Sequence, residues 1–124
     1  MTSDEVFVVD DDASVRRAIV RLLHTAGYAV RSFASAYDLI AVMRTERPAC
    51  LVIDVRMPDC TGLELADMLR STPAPTPIIF ITGHGDIEMA VRAMKSGAVD
   101  FLAKPFDDQA LLNAIANAVR AVEH

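Results

Sequence analysis

Four apolar runs in this sequence each deliver a side chain able to handle charged oxygen. Cys50-Leu51-Val52-Ile53 closes on Asp54 and is followed by Val55-Arg56-Met57-Pro58-Asp59-Cys60-Thr61-Gly62. A short β-branched run ending in an acid, then Pro and Gly, reads as a buried strand handing a carboxylate to a loop. Val6-Phe7-Val8-Val9 closes on Asp10-Asp11-Asp12, Ile78-Ile79-Phe80-Ile81 on Thr82, and Val99-Asp100-Phe101-Leu102-Ala103 on Lys104-Pro105. Taken singly, these are a turn acid, helix-start acids, a strand threonine and a solvated lysine. Taken together they are the parts of one site, because independent matches in a shared predicted context compound.

Carboxylates from Asp10, Asp11 and Asp54 repel when gathered in one crevice. At about 4 Å and an effective dielectric near 20, each like-charged pair costs on the order of 4 kcal/mol before screening. A raised pKa or a bound cation relieves such a cluster. Oxygen-only ligands favour a hard divalent ion, Mg²⁺ or Mn²⁺. No His/Cys cluster has zinc spacing, and His24, His84 and His124 fall in a helix, a loop and the chain end, so none is read as a ligand. A carboxylate is a workable nucleophile toward phosphorus and yields an aspartyl phosphate. The chemistry indicated is phosphoryl transfer onto Asp54, with Lys104 giving a point positive charge and Thr82 a hydrogen bond to phosphoryl oxygens. The sequence has neither GxxxxGK[ST] nor a kinase signature, so the donor is a phosphorylated partner or a small phospho-compound.

Bringing these groups together needs alternating strands and helices. After the first strand, Val6 to Val9, Val15, Ile19, Leu22, Leu23 and Ala26 recur at helical spacing with Arg16, Arg17 and Arg21 between them, and Gly27 stops that helix. Tyr28 to Phe33 reads as a second strand, and Ser35 as the cap of a helix carrying Leu39, Val42 and Met43. Leu63, Leu65, Met68 and Leu69 mark a third helix after the Asp54 strand, followed by the stiff connection Thr72-Pro73-Ala74-Pro75-Thr76-Pro77. Ile87, Ala90, Val91 and Met94 line one face of a fourth helix closed by Gly97; Val99 to Ala103 is a fifth, edge-like strand. Asp107 caps a last helix with Leu111, Leu112, Ile115, Val119 and Val122 on its buried side. Five strands alternating with five helices argue for an α/β fold with a parallel sheet. Right-handed crossovers leave few topologies, and the flavodoxin-like (CheY-like) doubly wound order 2-1-3-4-5 is the natural one. In that order strands 1 and 3 flank the switch point, where ligands bind beyond the carboxyl ends of the strands.

Composition bounds the partners. The chain has 124 residues, 52% hydrophobic and 23% charged, which suits one globular domain with a real core. Its net charge of −5 argues against non-specific nucleic-acid binding by this domain. Charges interrupt every apolar run below membrane-spanning length, and the acidic start Met1-Thr2-Ser3-Asp4-Glu5 is no secretory signal. Cys50 and Cys60 lack CxxC spacing, Cys50 reading as core and Cys60 as a loop residue. The expected compartment is the cytoplasm.

These residues resemble the receiver domain of bacterial two-component response regulators, over essentially the whole chain from Val6 to about Val122. The acidic cluster, the Asp54-x-x-Met57-Pro58 segment, Thr82 and Lys104-Pro105 occur in family order and spacing. Thr82-Gly83-His84-Gly85-Asp86, Ala90-Val91, Ala93-Met94-Lys95 and Gly97-Ala98-Val99-Asp100-Phe101 are similar to the FixJ type, of the LuxR/NarL class of transcriptional regulators. The resemblance implies Asp54 as phosphoacceptor, Asp11 and Asp54 with the backbone carbonyl of Arg56 as direct Mg²⁺ ligands, and Asp10 acting through water or as a second acid. It implies a cis bond between Lys104 and Pro105. It also implies a switch in which Thr82 swings toward the phosphoryl group and Phe101 rotates inward, remodelling the surface of the fourth helix, fifth strand and fifth helix. The implied partners are a cognate sensor histidine kinase and a second copy of the chain, joined on phosphorylation through the fourth helix and fifth strand. Arg92, Lys95 and Asp100 can pair across that contact or stay solvated. FixJ-type regulators carry a C-terminal DNA-binding domain. The chain is therefore expected to be a single receiver domain over residues 1–124, excised or stand-alone, contacting DNA only through a domain it lacks. Its catalysis is expected to stop at its own phosphorylation and dephosphorylation.

Two rival readings remain at this level. Asp10-x-Asp12 mimics the DxD signature of aspartate-nucleophile phosphatases, with Asp10 as nucleophile and Asp12 as general acid, though the Gly-Thr/Val continuation is missing. The other is a receiver-fold binding module that is never phosphorylated.

Overall fold

The computed structural model describes residues 5–55, 62–69, 76–83, 87–95 and 97–122. Arg56, Met57, Pro58, Cys60, His84, Asp86 and residues 72–75 lie outside the described residues, as do the side chains of Leu63, Ile87, Ala90, Ala93 and Val122.

Strands and helices alternate along the chain: β1 (Glu5–Val9), α1 (Ala13–Thr25), β2 (Ala29–Phe33), α2 (Ala36–Met43), β3 (Cys50–Asp54), α3 (Gly62–Leu69), β4 (Ile78–Thr82), α4 (Ile87–Lys95), β5 (Asp100–Ala103) and α5 (Asp108–Val122). The five strands form one parallel sheet in the order β2-β1-β3-β4-β5. The expected fold class and strand order are thus observed. The central strands are apolar throughout because both of their faces are covered. Phe7, Val9, Leu51, Ile53 and Phe80 pack with Leu39 and Leu65 on one side; Val6, Val8, Val52, Ile79 and Ile81 pack with Ile19, Leu23, Leu111 and Ile115 on the other. Each such side chain, fully buried, contributes about 1.5–3 kcal/mol.

Local chemistry sets the helix limits. Asp12 adopts an extended conformation and its carboxylate accepts from the Ser14 and Val15 amides at 2.9 and 3.3 Å, satisfying two donors that the first turn leaves open. Gly27 leaves α1 in the left-handed region at φ +99°, with its N–H donating to the His24 carbonyl. Tyr28, expected to open β2, belongs instead to this terminus: its N–H donates to the Leu23 carbonyl, and the strand begins at Ala29. Ala26 is likewise an exposed helix end and not part of the buried stripe. Ser35 caps α2 through the Asp38 amide, as expected. Val99 precedes β5 but donates to the Ile78 carbonyl, extending the β4 contact by one bond. On the outer side of the sheet, Arg31 of edge strand β2 makes two hydrogen bonds to Glu5 and two to Glu46, and its guanidinium lies 4.7 Å from the centre of the Phe7 ring.

All strands run the same way, so their carboxyl ends share one rim. Val9 lies beside Ile53, Asp54 beside Ile81, and Thr82 beside Ala103. That register brings Asp10, Asp54, Thr82 and Lys104 onto neighbouring strand ends.

Candidate functional site

Asp10 sits one residue beyond β1 and is fully buried; Asp54 ends β3 with its side chain 7% exposed. Asp11 is exposed at the start of the turn into α1. One oxygen from each of Asp10, Asp11 and Asp54 lies within 4.8 Å of the others. Thr82, buried, ends β4. Lys104 reaches back into the cluster from the end of β5, its Nζ 3.1 Å from Asp10 Oδ2 and 3.3 Å from Asp54 Oδ2. The Asp54 contact has hydrogen-bond geometry; the Asp10 contact is a charge contact that is not so aligned, and Asp10 Oδ2 has no hydrogen-bond partner among the described residues. Burial alone would push the Lys104 ammonium toward neutrality. The carboxylates of Asp10 and Asp54 outweigh it and hold its pKa above the usual lysine range. Among the described residues, one ammonium stands against the three carboxylates of Asp10, Asp11 and Asp54, an excess of negative charge.

The frame is tied by backbone bonds between strand ends. Lys104 N–H donates to the Thr82 carbonyl at 2.7 Å, Val55 N–H to the Ile81 carbonyl at 2.9 Å, and Asp10 N–H to the Phe33 carbonyl at 3.2 Å. The Lys104–Pro105 peptide is cis. Phe101 lies half-buried on edge strand β5 against the α2–α3 side of the core. Beside Lys104, an apolar cleft of about 400 Å³ runs between Val15, Ala18 and Leu22 of α1 and Pro105 and Phe106.

The donor set suits a hard cation. It offers oxygen atoms only, one of them buried and without a hydrogen-bond partner, in a pocket whose charge a divalent ion would offset. Asp12 is not among these oxygens; its carboxylate is committed to capping α1. That commitment counts against a phosphatase using Asp12 as general acid.

A family model described as the response regulator receiver domain matches residues 6–116. The chain belongs to this family. The receiver domain is 50% identical over 113 residues to nodulation protein W of Bradyrhizobium diazoefficiens, covering 91% of this chain and 50% of that protein. It is 43% identical over 122 residues to the transcriptional regulatory protein FixJ of the same organism, covering 98% of this chain and 60% of FixJ. The crystal structure of FixJ-N superposes with a TM-score of 0.89 at 43% identity, covering 97% of this chain and 96% of that one. The receiver domain thus spans about half to three-fifths of the length of the curated relatives it matches. Receiver domains bind Mg²⁺ at this acidic pocket, and response regulators interact with histidine kinases. Among the described residues, no helix is long and apolar enough to cross a membrane.

Two features of the receiver site escaped sequence reasoning. In the sequence Asp12 stands as one more helix-start acid beside Asp10 and Asp11, although an Asp just before a helical pattern is itself a cap signal. In the sequence Arg16 is only a charge between apolar helix positions, whereas its Nη1 donates to the Asp10 carbonyl at 2.7 Å. No local pattern announces that contact, because it depends on how α1 leaves the sheet.

Proposed function

We propose that this receiver domain accepts a phosphoryl group on Asp54 from the phosphohistidine of a sensor histidine kinase, or from a small phospho-donor, and converts the added charge into a change of the α4–β5–α5 surface. The observation that carries the reading is the Lys104 ammonium 3.3 Å from a nearly buried Asp54 carboxylate, within a cluster of further acids. An Asp54 oxygen attacks phosphorus. The bond from phosphorus to the donor's nitrogen, or to the oxygen of a small phospho-donor such as acetyl phosphate, breaks, and its electron pair leaves with the imidazole or the acetate. Lys104 holds one phosphoryl oxygen by charge, and the Thr82 hydroxyl donates to another. Asp11 and Asp54, with the Arg56 carbonyl, would hold Mg²⁺ or Mn²⁺ directly, and Asp10 through water. When bound, the cation offsets the charge of the phosphoryl oxygens against the carboxylates. The cleft lined by Val15, Leu22 and Phe106 gives the donor protein an apolar seat next to Lys104.

Phosphorylation adds roughly −1.5 to −2 charges. Thr82 then moves toward the phosphoryl group and Phe101 turns inward. Phe101 borders a shallow recess of about 430 Å³ with Val91, Met94 and Lys95, and Val91 and Met94 are each nearly half exposed. That apolar strip, with Arg92, Lys95 and Asp100 around it, is the face through which two phosphorylated copies pair. A transcriptional output would be delivered by a DNA-binding part of a longer protein, given the share of its relatives that this chain spans. Catalysis by the domain itself is limited to its own phosphorylation and dephosphorylation, and the cytoplasm is its working compartment.

Intact mass after incubation with acetyl phosphate and Mg²⁺, on wild type and Asp54→Asn in parallel, tests the reading. One added phosphoryl group in wild type only is expected. No gain, or an equal gain in both proteins, overturns it.

A further inference from the structure

We infer that Arg16 is a positioning residue for the acidic pocket: it fixes the turn after β1 so that Asp10 and Asp11 present their carboxylates to a divalent cation. The inference rests on the phosphoacceptor reading above. Asp10 is held at three of its hydrogen-bonding groups. Its N–H donates to the Phe33 carbonyl, its Oδ1 accepts from the Asp12 N–H at 2.9 Å, and its carbonyl accepts from Arg16 Nη1 at 2.7 Å. Among the described residues, Oδ2 is left over, and it faces Lys104 inside the cluster. Two of these restraints come from the turn and the sheet themselves. The third is a charged donor reaching back from the first turns of α1 to the strand end. Arg16 is half-buried on α1, where its neighbours Arg17 and Arg21 are exposed. An Arg bond to a carbonyl is a charge-assisted hydrogen bond, short and directional. Without it, a buried carbonyl loses its partner, and the turn relaxes to recover one. Asp10 and Asp11 are adjacent in that turn, so such a relaxation displaces both carboxylates relative to Asp54. Groups that orient metal-binding side chains from outside the ligand set typically cost 10–100-fold in metal affinity when removed.

The test uses the 124-residue chain with wild type, Arg16→Gln, Arg16→Lys and Arg17→Gln. Arg17→Gln removes the same charge one residue away, from an exposed position. Mn²⁺ affinity is measured by electron paramagnetic resonance with no phospho-donor present. Phosphorylation by acetyl phosphate is then followed across a Mg²⁺ titration, and thermal midpoints report folding. Arg16→Gln is expected to weaken Mn²⁺ binding at least about tenfold relative to Arg17→Gln. It should raise the half-saturating Mg²⁺ concentration by a similar factor, with the rate at saturating Mg²⁺ close to wild type. Arg16→Lys, which keeps the charge and can donate but lacks the planar fork, should fall between them. Should Arg16→Gln fail to fold, Arg16→Lys against Arg17→Gln decides: Mn²⁺ affinity below that of Arg17→Gln supports the positioning role, and equal affinity overturns it. Equal Mn²⁺ affinity in Arg16→Gln and Arg17→Gln, or a lower saturated rate with unchanged Mg²⁺ dependence, overturns the positioning role while leaving the phosphoacceptor reading intact. Absence of Mn²⁺ binding in wild type would overturn the Mg²⁺-dependent reading itself, and the inference with it.

Discussion

Replacing Lys104 by Met keeps an apolar stem along the cleft beside Pro105 and removes the one ammonium that, among the described residues, lies between Asp10 and Asp54. At 3.1 and 3.3 Å and an effective dielectric near 20, each contact is worth about 5 kcal/mol in Coulomb energy before any cost of desolvation. Removing one partner from a buried ion pair typically costs 3–5 kcal/mol, because the other charge stays behind. The Lys104 side chain is 24% exposed, so solvent already screens it and the low end applies, about 3 kcal/mol. For a domain of this size, that lowers the thermal midpoint by roughly 10 °C. Urea denaturation in EDTA at neutral pH measures the loss, and repeating it with Mg²⁺ should narrow the gap, since a bound cation takes over part of the counter-charge. The pH dependence has a definite sign. Because the folded-state pKa of Lys104 is raised, its contribution is fully present below the ordinary value of 10.5 and is lost as pH climbs through the folded value. The difference between wild type and Lys104→Met should therefore stay level from neutrality to about pH 10 and shrink above it. Lys95→Met, an exposed control, should stay within about 0.5 kcal/mol of wild type. A Lys104→Met protein as stable as that control in EDTA would refute the account of Lys104 as the counter-charge of the acid cluster.

Other expectations concern single residues. Asp12→Ala should cost about 1 kcal/mol by urea denaturation through loss of the α1 cap, with phosphoryl uptake from acetyl phosphate retained. Loss of uptake with stability unchanged would put Asp12 in the chemistry after all. Arg31→Met should destabilise the fold most at low salt, because its bonds to Glu5 and Glu46 are partly exposed. The deficit should shrink as salt rises from about 0.01 M to about 1 M and the screening length falls from roughly 30 to 3 Å. Cys50 is buried, and burial pushes its thiol up to about 12, so peptide mapping after iodoacetamide at neutral pH should find it modified only in unfolded protein.

Much of this was legible in the sequence because a parallel sheet covered on both faces forces its central strands into unbroken apolar runs. Val6 to Val9, Cys50 to Ile53 and Ile78 to Ile81 show that pattern, and the polar residue ending each run marks the rim. Lys104 was legible as a strand-end cation, but its sharing between Asp10 and Asp54 follows from side-chain reach across the sheet. The same is true of Arg16 on the Asp10 carbonyl and of Arg31 between Glu5 and Glu46, contacts between residues brought together by packing. The misplaced limits, Tyr28 and Val99, are apolar residues next to a helix-ending glycine or a strand start. There, backbone hydrogen bonding outweighs residue preference.

The shared rim ties the pocket to complete folding of the domain. Asp10, Asp54, Thr82 and Lys104 follow or end β1, β3, β4 and β5, so the pocket draws on nearly the full length of the chain and on the pairing of non-consecutive strands. No fragment or partly folded intermediate lacking β5 holds Lys104 against Asp54, and none lacking β1 holds Asp10 there. On the proposed phosphoacceptor reading, the capacity to take a phosphoryl group is in effect a proofreading of the finished fold. A damaged or nascent copy would then fall silent and not send a weak message, and the fraction of chains able to respond would track the cooperative folding equilibrium of the whole domain.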